Sequence, residues 1–279
     1  MERSAKRERP ARRQLGQVMT PPELAARLVA ELPLGRDTRV LEPSFGAGAF
    51  LLPLVSALVE LRGGDFARVM RENVFGVELD PALYGQTVAA LEARWGELPV
   101  GHGLSCGDYF RFAPEAPFDL VVGNPPFGGT FDAEIEDALD RRFGHYGGCK
   151  LKKETYSFFV AKALDELATR GRLRFICSDT FLTIKTMRGL RELLLDSGSV
   201  VVAELPGSFA ETTQPMVVLD LARGGPAEHA LVRGERLSRR AMEQTQNLSW
   251  GLRAEHAPYF AGPALSEFVV ATGGMTIGR

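Results

Sequence analysis

Asp119-Leu120-Val121-Val122-Gly123-Asn124-Pro125-Pro126-Phe127-Gly128 is the stretch that decides how the chain folds. The small and apolar residues after Asp119 read as a short buried strand. The paired prolines cannot donate to a sheet ladder, so this strand must stop at Asn124. At that stop stand an amide side chain, a backbone carbonyl held by the proline that follows it, and an aromatic ring. A planar amine, such as an exocyclic nitrogen of a base, can donate one hydrogen bond to the Asn124 side-chain oxygen and one to the Pro125 carbonyl while Phe127 stacks on its ring. The same residues also read as an ordinary Pro-Pro turn with Phe127 in the core. Only the surrounding chain separates the two readings.

A chain of 279 residues with 45% apolar content can bury the core of one large α/β domain. No run of about 18 apolar residues occurs, and the start is basic and polar where a signal peptide needs an apolar stretch, so a cytoplasmic location and no membrane partner are expected. A net charge of -2 does not mark a general polyanion binder. Arg3, Lys6, Arg7, Arg9, Arg12 and Arg13 nevertheless crowd the beginning, as a solvated flexible tail over 1–15 or as an arm that touches phosphates. Cys106, Cys149 and Cys177 form no C-x-x-C pair, and His102, His145, His229 and His256 show no ligand spacing, so neither disulfides nor a metal is expected. Cys106 and Cys177 are expected in the core and Cys149 in a loop.

Upstream of the decisive stretch, Thr20-Pro21-Pro22-Glu23 reads as a capping box. Thr20 is the N-cap, Pro21 the first helical residue and Glu23 the third, opening a helix that runs to Leu32. Thr38 to Glu42 reads as the first strand. A Gly-containing turn, Pro43-Ser-Phe-Gly46-Ala-Gly48-Ala-Phe50, follows it and leads into a helix from Leu51 to Leu61. Gly46 and Gly48 let the backbone approach a ligand, but the third glycine of the dinucleotide fingerprint is missing, which disfavours a pyrophosphate cradle. Val74 to Leu79 is a second strand with Glu78 placed to accept from two ribose hydroxyls. Asp80-Pro81 caps the helix that follows, to Trp95. A third strand, Gly103 to Gly107, ends in Asp108-Tyr109, a carboxylate beside an aromatic that can hold an adenine or serve as a plain turn.

Strands alternating with helices predict a mostly parallel sheet. Glu42, Glu78, Asp108 and Asn124 would then all lie at strand carboxyl ends, where open α/β sheets bind ligands.

With these pieces assembled, the chain resembles the N6-adenine DNA methyltransferases in their gamma arrangement. The resemblance rests on Gln17-Val-Met-Thr20-Pro21, Glu42-Pro-Ser-Phe-Gly46-Ala-Gly48, Gly76-Val-Glu78-Leu-Asp80-Pro, Gly107-Asp108-Tyr-Phe and Asn124-Pro-Pro-Phe127, in the family's order, and runs from about Gln14 to Arg223. It implies a Rossmann-like S-adenosylmethionine-dependent fold closed by an antiparallel hairpin, Val200 to Leu205 with Pro215 to Leu221. It also implies that Thr20, Glu42, Gly46 and Gly48 hold the methionine part of the cofactor, Glu78 the ribose, and Asp108 with Tyr109 the adenine. The target base falls to Asn124, Pro125, Pro126 and Phe127, with Phe209 as a second stacking aromatic; the alternative for Phe209 is a loop aromatic tucked into the core.

The implied activity is methylation of adenine in double-stranded DNA as part of a restriction-modification or defence system. RNA bases or protein glutamine as substrates, and a catalytically idle cofactor-binding module, stand as alternatives. Residues 16–223 read as the catalytic domain and 224–279 as a linker with the start of a recognition region, Gly273 to Arg279 included. Sequence selectivity would come from a partner chain or from a further C-terminal recognition domain. The acidic insertion between Gly128 and Lys153 is expected to face solvent or a partner.

Overall fold

A computed structural model describes residues 19–128, 131–146, 148–151, 154–205, 215–245 and 248–250. The basic tail, Gln17, Phe209 and the segment from Gly273 to Arg279 lie outside these residues. Helix α1 is Pro22–Ala30, followed by β1, Val40–Glu42, and α2, Leu51–Leu61. A short helical segment, Phe66–Arg68, runs through a π-helical turn, Val69–Asn73, into β2, Val74–Glu78. Then come α3, Pro81–Trp95, β3, Gly103–Cys106, and β4, Phe118–Gly123. The insertion forms α4, Ala133–Phe143, and a small ribbon of β5, His145–Tyr146, with β6, Cys149–Lys150. Helix α5, Thr155–Glu166, leads into β7, Leu167–Ser178. The chain continues through α6, Arg188–Ser197, β8, Gly198–Glu204, β9, Met216–Arg223, β10, His229–Val232, β11, Glu235–Ser238, and α7, Arg239–Glu243.

The main sheet has the order β11-β10-β8-β9-β7-β4-β1-β2-β3. Strands β3, β2, β1, β4 and β7 are mutually parallel, and β9 runs antiparallel between β7 and β8, the expected hairpin. The sheet does not end there, because β10 adds parallel to β8 and β11 turns back against β10, beyond the Arg223 boundary read from the sequence. Side chains of β4 alternate between two cores: Leu120 and Val122 pack with α1 and α2 on one face, and Val121 packs with α5 on the other. That double burial explains why β4 reads as a continuous apolar run.

Three local expectations are corrected. Thr20 does not cap α1: the N-cap is Pro21, no side chain bonds the first turn, and the helix begins at Pro22. The Thr20 hydroxyl takes a distant partner instead, described below. Cys106 is exposed, because β3 is the edge of the sheet and pairs with β2 alone; Cys177, in the central β7, is fully buried as expected, while Cys149, expected in a loop, sits partly buried in β6, where it pairs with Tyr146.

Candidate active site

β1 lies between β2 and β4; α2, which follows β1, covers one face of the sheet and α5, which follows β4, covers the other, so a crevice opens at the carboxyl ends of β1 and β4. Glu42 closes β1, Glu78 closes β2, Asp108 follows β3 and Asn124 follows β4. The predicted residues are therefore gathered on one edge of the sheet.

Gly46 and Gly48 shape the turn after β1. Their φ angles are +53° and +83°, and a side chain at Gly48 would stand 2.9 Å from the Thr87 methyl. The Thr87 hydroxyl donates to the Gly46 carbonyl at 2.9 Å, fastening the turn to α3. Glu78 fastens it to β2: one carboxylate oxygen accepts the Gly46 amide at 2.7 Å and the other accepts the Asp80 amide at 2.9 Å. A carboxylate offers about four acceptor positions, so these bonds leave capacity for hydroxyls from a ligand. Asp80 caps α3 through Ala82, as its sequence context predicts.

Two adjoining clefts share Ser44 and Pro126. The larger, about 260 Å³, is bordered by Glu78 and Asp108 and walled by Leu79, Phe110, Phe131 and Phe159. Asp108 also accepts the Phe110 amide at 2.8 Å, so it is both a turn residue and part of the wall. Tyr109 lines the same cleft but turns its hydroxyl into the core, donating to Glu166 at 2.5 Å. Lys162, one turn earlier on α5, donates to the other Glu166 oxygen at 2.5 Å and to the Phe112 carbonyl at 2.9 Å. Burial pushes the Glu166 carboxyl above its ordinary range against the pull of Lys162 and Tyr109. This buried set clamps the 108–112 turn onto α5.

The smaller cleft, about 40 Å³, is lined by Thr20, Glu42, Gly46, Asn124 and Pro126 among others. The Asn124 amide nitrogen donates to the Thr20 hydroxyl at 3.0 Å, and the Ser44 hydroxyl reaches the Asn124 carbonyl at 3.5 Å. Phe127 is partly buried, packs against both cores, and meets Tyr156 edge-on with ring centroids 6.3 Å apart. Glu42 is 2% exposed, and one of its carboxyl oxygens has no hydrogen-bond partner. Burial, aided by the neighbouring charge of Glu78, pushes its carboxyl well above the usual carboxylate range.

Residues missed in the sequence include Leu79, 51% exposed although apolar, and Phe131 and Phe159. An apolar residue left exposed beside a strand-end acid is a usable signal for Leu79. Phe131 gives none, because it sits in the insertion expected to face solvent. On α4 itself, Glu134 and Asp137 are exposed while Ile135 and Leu139 are buried.

Residues 105–202 match the family described as Eco57I restriction-modification methylase. Over these residues the chain is similar to restriction-modification methylases. A Type II methyltransferase of Thermus thermophilus is 31% identical over an alignment 223 positions long that covers 76% of this chain and 46% of that methylase. The chain thus spans about half the length of that curated relative. Among solved structures, a DrdV–DNA complex superposes with a TM-score of 0.67 at 17% identity, over 88% of this chain and 32% of that one. A Listeria monocytogenes protein described as a class I S-adenosylmethionine-dependent methyltransferase superposes at 0.62 with 18% identity, over 80% and 68% of the two chains. The sheet order and these superpositions place the chain in the class I methyltransferase fold. No helix among the described residues is long and apolar enough to cross a membrane, and no group of metal-ligating side chains occurs among them.

Proposed function

We propose that this chain transfers a methyl group from S-adenosylmethionine to the N6 amino group of an adenine turned out of duplex DNA, as the modification component of a restriction-modification system. The observation that carries this reading is the position of Asn124-Pro125-Pro126-Phe127: it stands at the switch point of the sheet, with Pro126 on the wall between the two clefts and Asn124 beside the smaller one.

The residues present fit the cofactor. The larger cleft supplies Glu78 for ribose hydroxyls, Asp108 for an adenine amino group, and Leu79, Phe110 and Phe159 for the base faces. The smaller cleft supplies Thr20, Gly46 and the unpartnered Glu42 oxygen for the methionine end. When bound, S-adenosylmethionine supplies an electrophilic methyl group.

Asn124 and Pro125 do the remaining work on the target. Donation from the Asn124 nitrogen to Thr20 sets the amide plane and assigns its oxygen the acceptor role. Two hydrogen bonds from the amine, to that oxygen and to the Pro125 carbonyl, keep its lone pair off the ring and aim it at the cleft. Pro126 holds the turn rigid, and Phe127 stacks on the extruded base, with Phe209 as its second stacking partner. No covalent enzyme intermediate and no nucleophilic cysteine are needed. Double-stranded DNA is the substrate, and a partner chain or a further recognition domain supplies sequence selectivity.

Asn124→Ala tests the reading: methyl transfer to DNA should be lost while S-adenosylmethionine affinity stays nearly unchanged. Retention of most activity would sink it. Transfer to RNA or to a glutamine-containing peptide in place of DNA would favour those alternative substrates.

A further inference from the structure

Glu42 has no task in the methyl transfer itself, yet it is the most completely buried acid of the smaller cleft. It closes β1, is 2% exposed, and points an oxygen without a hydrogen-bond partner into a space lined by backbone and neutral side chains. From β2 it faces Glu78. From β4 it faces Gly123, where a side chain would stand 3.5 Å from the Glu42 Cγ, and Asn124. The approach to α1 contributes Met19 and Thr20, and the turn after β1 contributes Ser44 to Ala47, Ala49 and Phe50. Among the described residues of these elements, Glu78 is the one charged side chain that faces Glu42.

A carboxyl buried this completely beside a second acid, with an oxygen that no hydrogen bond reaches, is disfavoured as an ion. Glu78 accepts two backbone amides, bonds that an ionised oxygen makes best. The proton therefore belongs on Glu42. We propose that Glu42 is a proton-linked acceptor for the ammonium group of the cofactor: a neutral acid in the free protein, it becomes a carboxylate as the ammonium enters the smaller cleft, and one proton is released to solvent. This rests on the cofactor reading above. The O–H bond of the carboxyl breaks, its electrons stay on the Glu42 oxygen, the proton passes to the buffer, and no covalent bond forms. The upward push of burial and of Glu78 on the Glu42 carboxyl agrees with this assignment. Binding then strengthens as pH rises, by up to about tenfold per pH unit on the acid side of the Glu42 titration, because a higher pH favours the state that has lost the proton.

The test is calorimetric titration of the full 279-residue chain at pH ~6.5, where a free α-amino group is still protonated, in buffers of contrasting ionisation enthalpy. The ligands are S-adenosylmethionine, S-adenosylhomocysteine, which keeps the ammonium but lacks the sulfonium charge, and methylthioadenosine, which lacks the ammonium. Net proton release is expected with the first two and none with the third, and Glu42→Gln should bind without release. The buffer comparison needs no variant, so it stands even if the substitution fails to fold. Binding of S-adenosylmethionine by the wild-type chain without proton release overturns the proposal and leaves the cofactor reading intact. Release that survives in Glu42→Gln, or that S-adenosylhomocysteine does not cause, overturns the assignment to Glu42 and the ammonium. Failure of all three ligands to bind overturns the cofactor reading and this proposal together.

Discussion

The Asn124 side-chain amide donates to the Thr20 hydroxyl at 3.0 Å, across 104 positions of sequence. This bond ties the approach to α1 to the end of β4 and sets the plane of the Asn124 amide beside the smaller cleft.

If that orientation matters, Thr20→Val should lower kcat by roughly 10- to 100-fold, the scale on which a displacement of about 1 Å acts on a reacting geometry. Thr20→Ser should restore most of the rate. Single-turnover methylation measures it, and an unchanged kcat in Thr20→Val would show that the bond does not orient the amide.

Glu78 has a structural role and, in the proposed function, a binding one as well. Glu78→Ala removes the acceptor of the Gly46 and Asp80 amides, so stability should fall by roughly 3–6 kcal/mol along with S-adenosylmethionine affinity, since bonds to a charged acceptor contribute about 1.5–3 kcal/mol each. Asp108→Ala should weaken binding with a smaller loss of stability, because its oxygen serves one turn amide at a partly exposed position. Denaturant unfolding beside calorimetry separates the two, and a Glu78→Ala protein as stable as the parent would contradict the tie between the β1 turn and β2.

Lys162→Met leaves Glu166 buried without its cation, a change that costs about 3–5 kcal/mol when the remaining charge cannot be neutralised. Protonation of Glu166 offers an escape. Its carboxyl is raised by burial, so in the variant the native state favours the protonated acid still more, and the deficit should be small at acid pH and grow as pH rises through the Glu166 titration. Unfolding midpoints across pH test this; a deficit independent of pH would mean that lost packing, and not the uncompensated charge, dominates.

Glu42 yields a prediction of the same sign by a different route. Its carboxyl is raised in the folded state, so its contribution to stability is fully present below the ordinary carboxylate range and is lost as pH rises toward its folded titration. Glutamine cannot ionise, so Glu42→Gln should stabilise the free protein at neutral pH relative to the parent. The gain should increase by about 1.4 kcal/mol per pH unit through that window and then level off. Melting curves at several pH values decide it, and a uniform destabilisation would contradict the neutral-acid assignment.

The strand end at Asn124 was legible because its cause is local: two prolines stop a ladder wherever they stand. Asp80 was legible for the same reason, since a cap and a following proline specify a helix start from neighbours alone. Thr20 carries an equally clear local signal and the signal misled, because the hydroxyl gains more from a partner 104 residues away than from its own helix. No pattern in the first helix could reveal that. Lys162 and Glu166 have the i,i+4 spacing of an ordinary exposed ion pair; only the packing of α5 under the Tyr109 turn shows that both are buried. Cys106 was misplaced because strand sequence does not distinguish the edge of a sheet from its middle. Strands β10 and β11 were missed because four-residue strands in a polar context lack enough alternation to register. Phe209 lies outside the described residues, so its role as a stacking partner rests on the resemblance alone.

The central claim is chemical: methyl transfer to the exocyclic nitrogen of adenine in DNA. The most direct measurement is to incubate the purified chain, with and without candidate recognition partners, with duplex DNA and S-adenosylmethionine carrying a labelled methyl group, and to digest the DNA to nucleosides for mass spectrometry. The account predicts label in N6-methyl-2′-deoxyadenosine, absent with Asn124→Ala. Label in a methylated cytosine, or no transfer under any of these conditions despite tight S-adenosylmethionine binding, would contradict it.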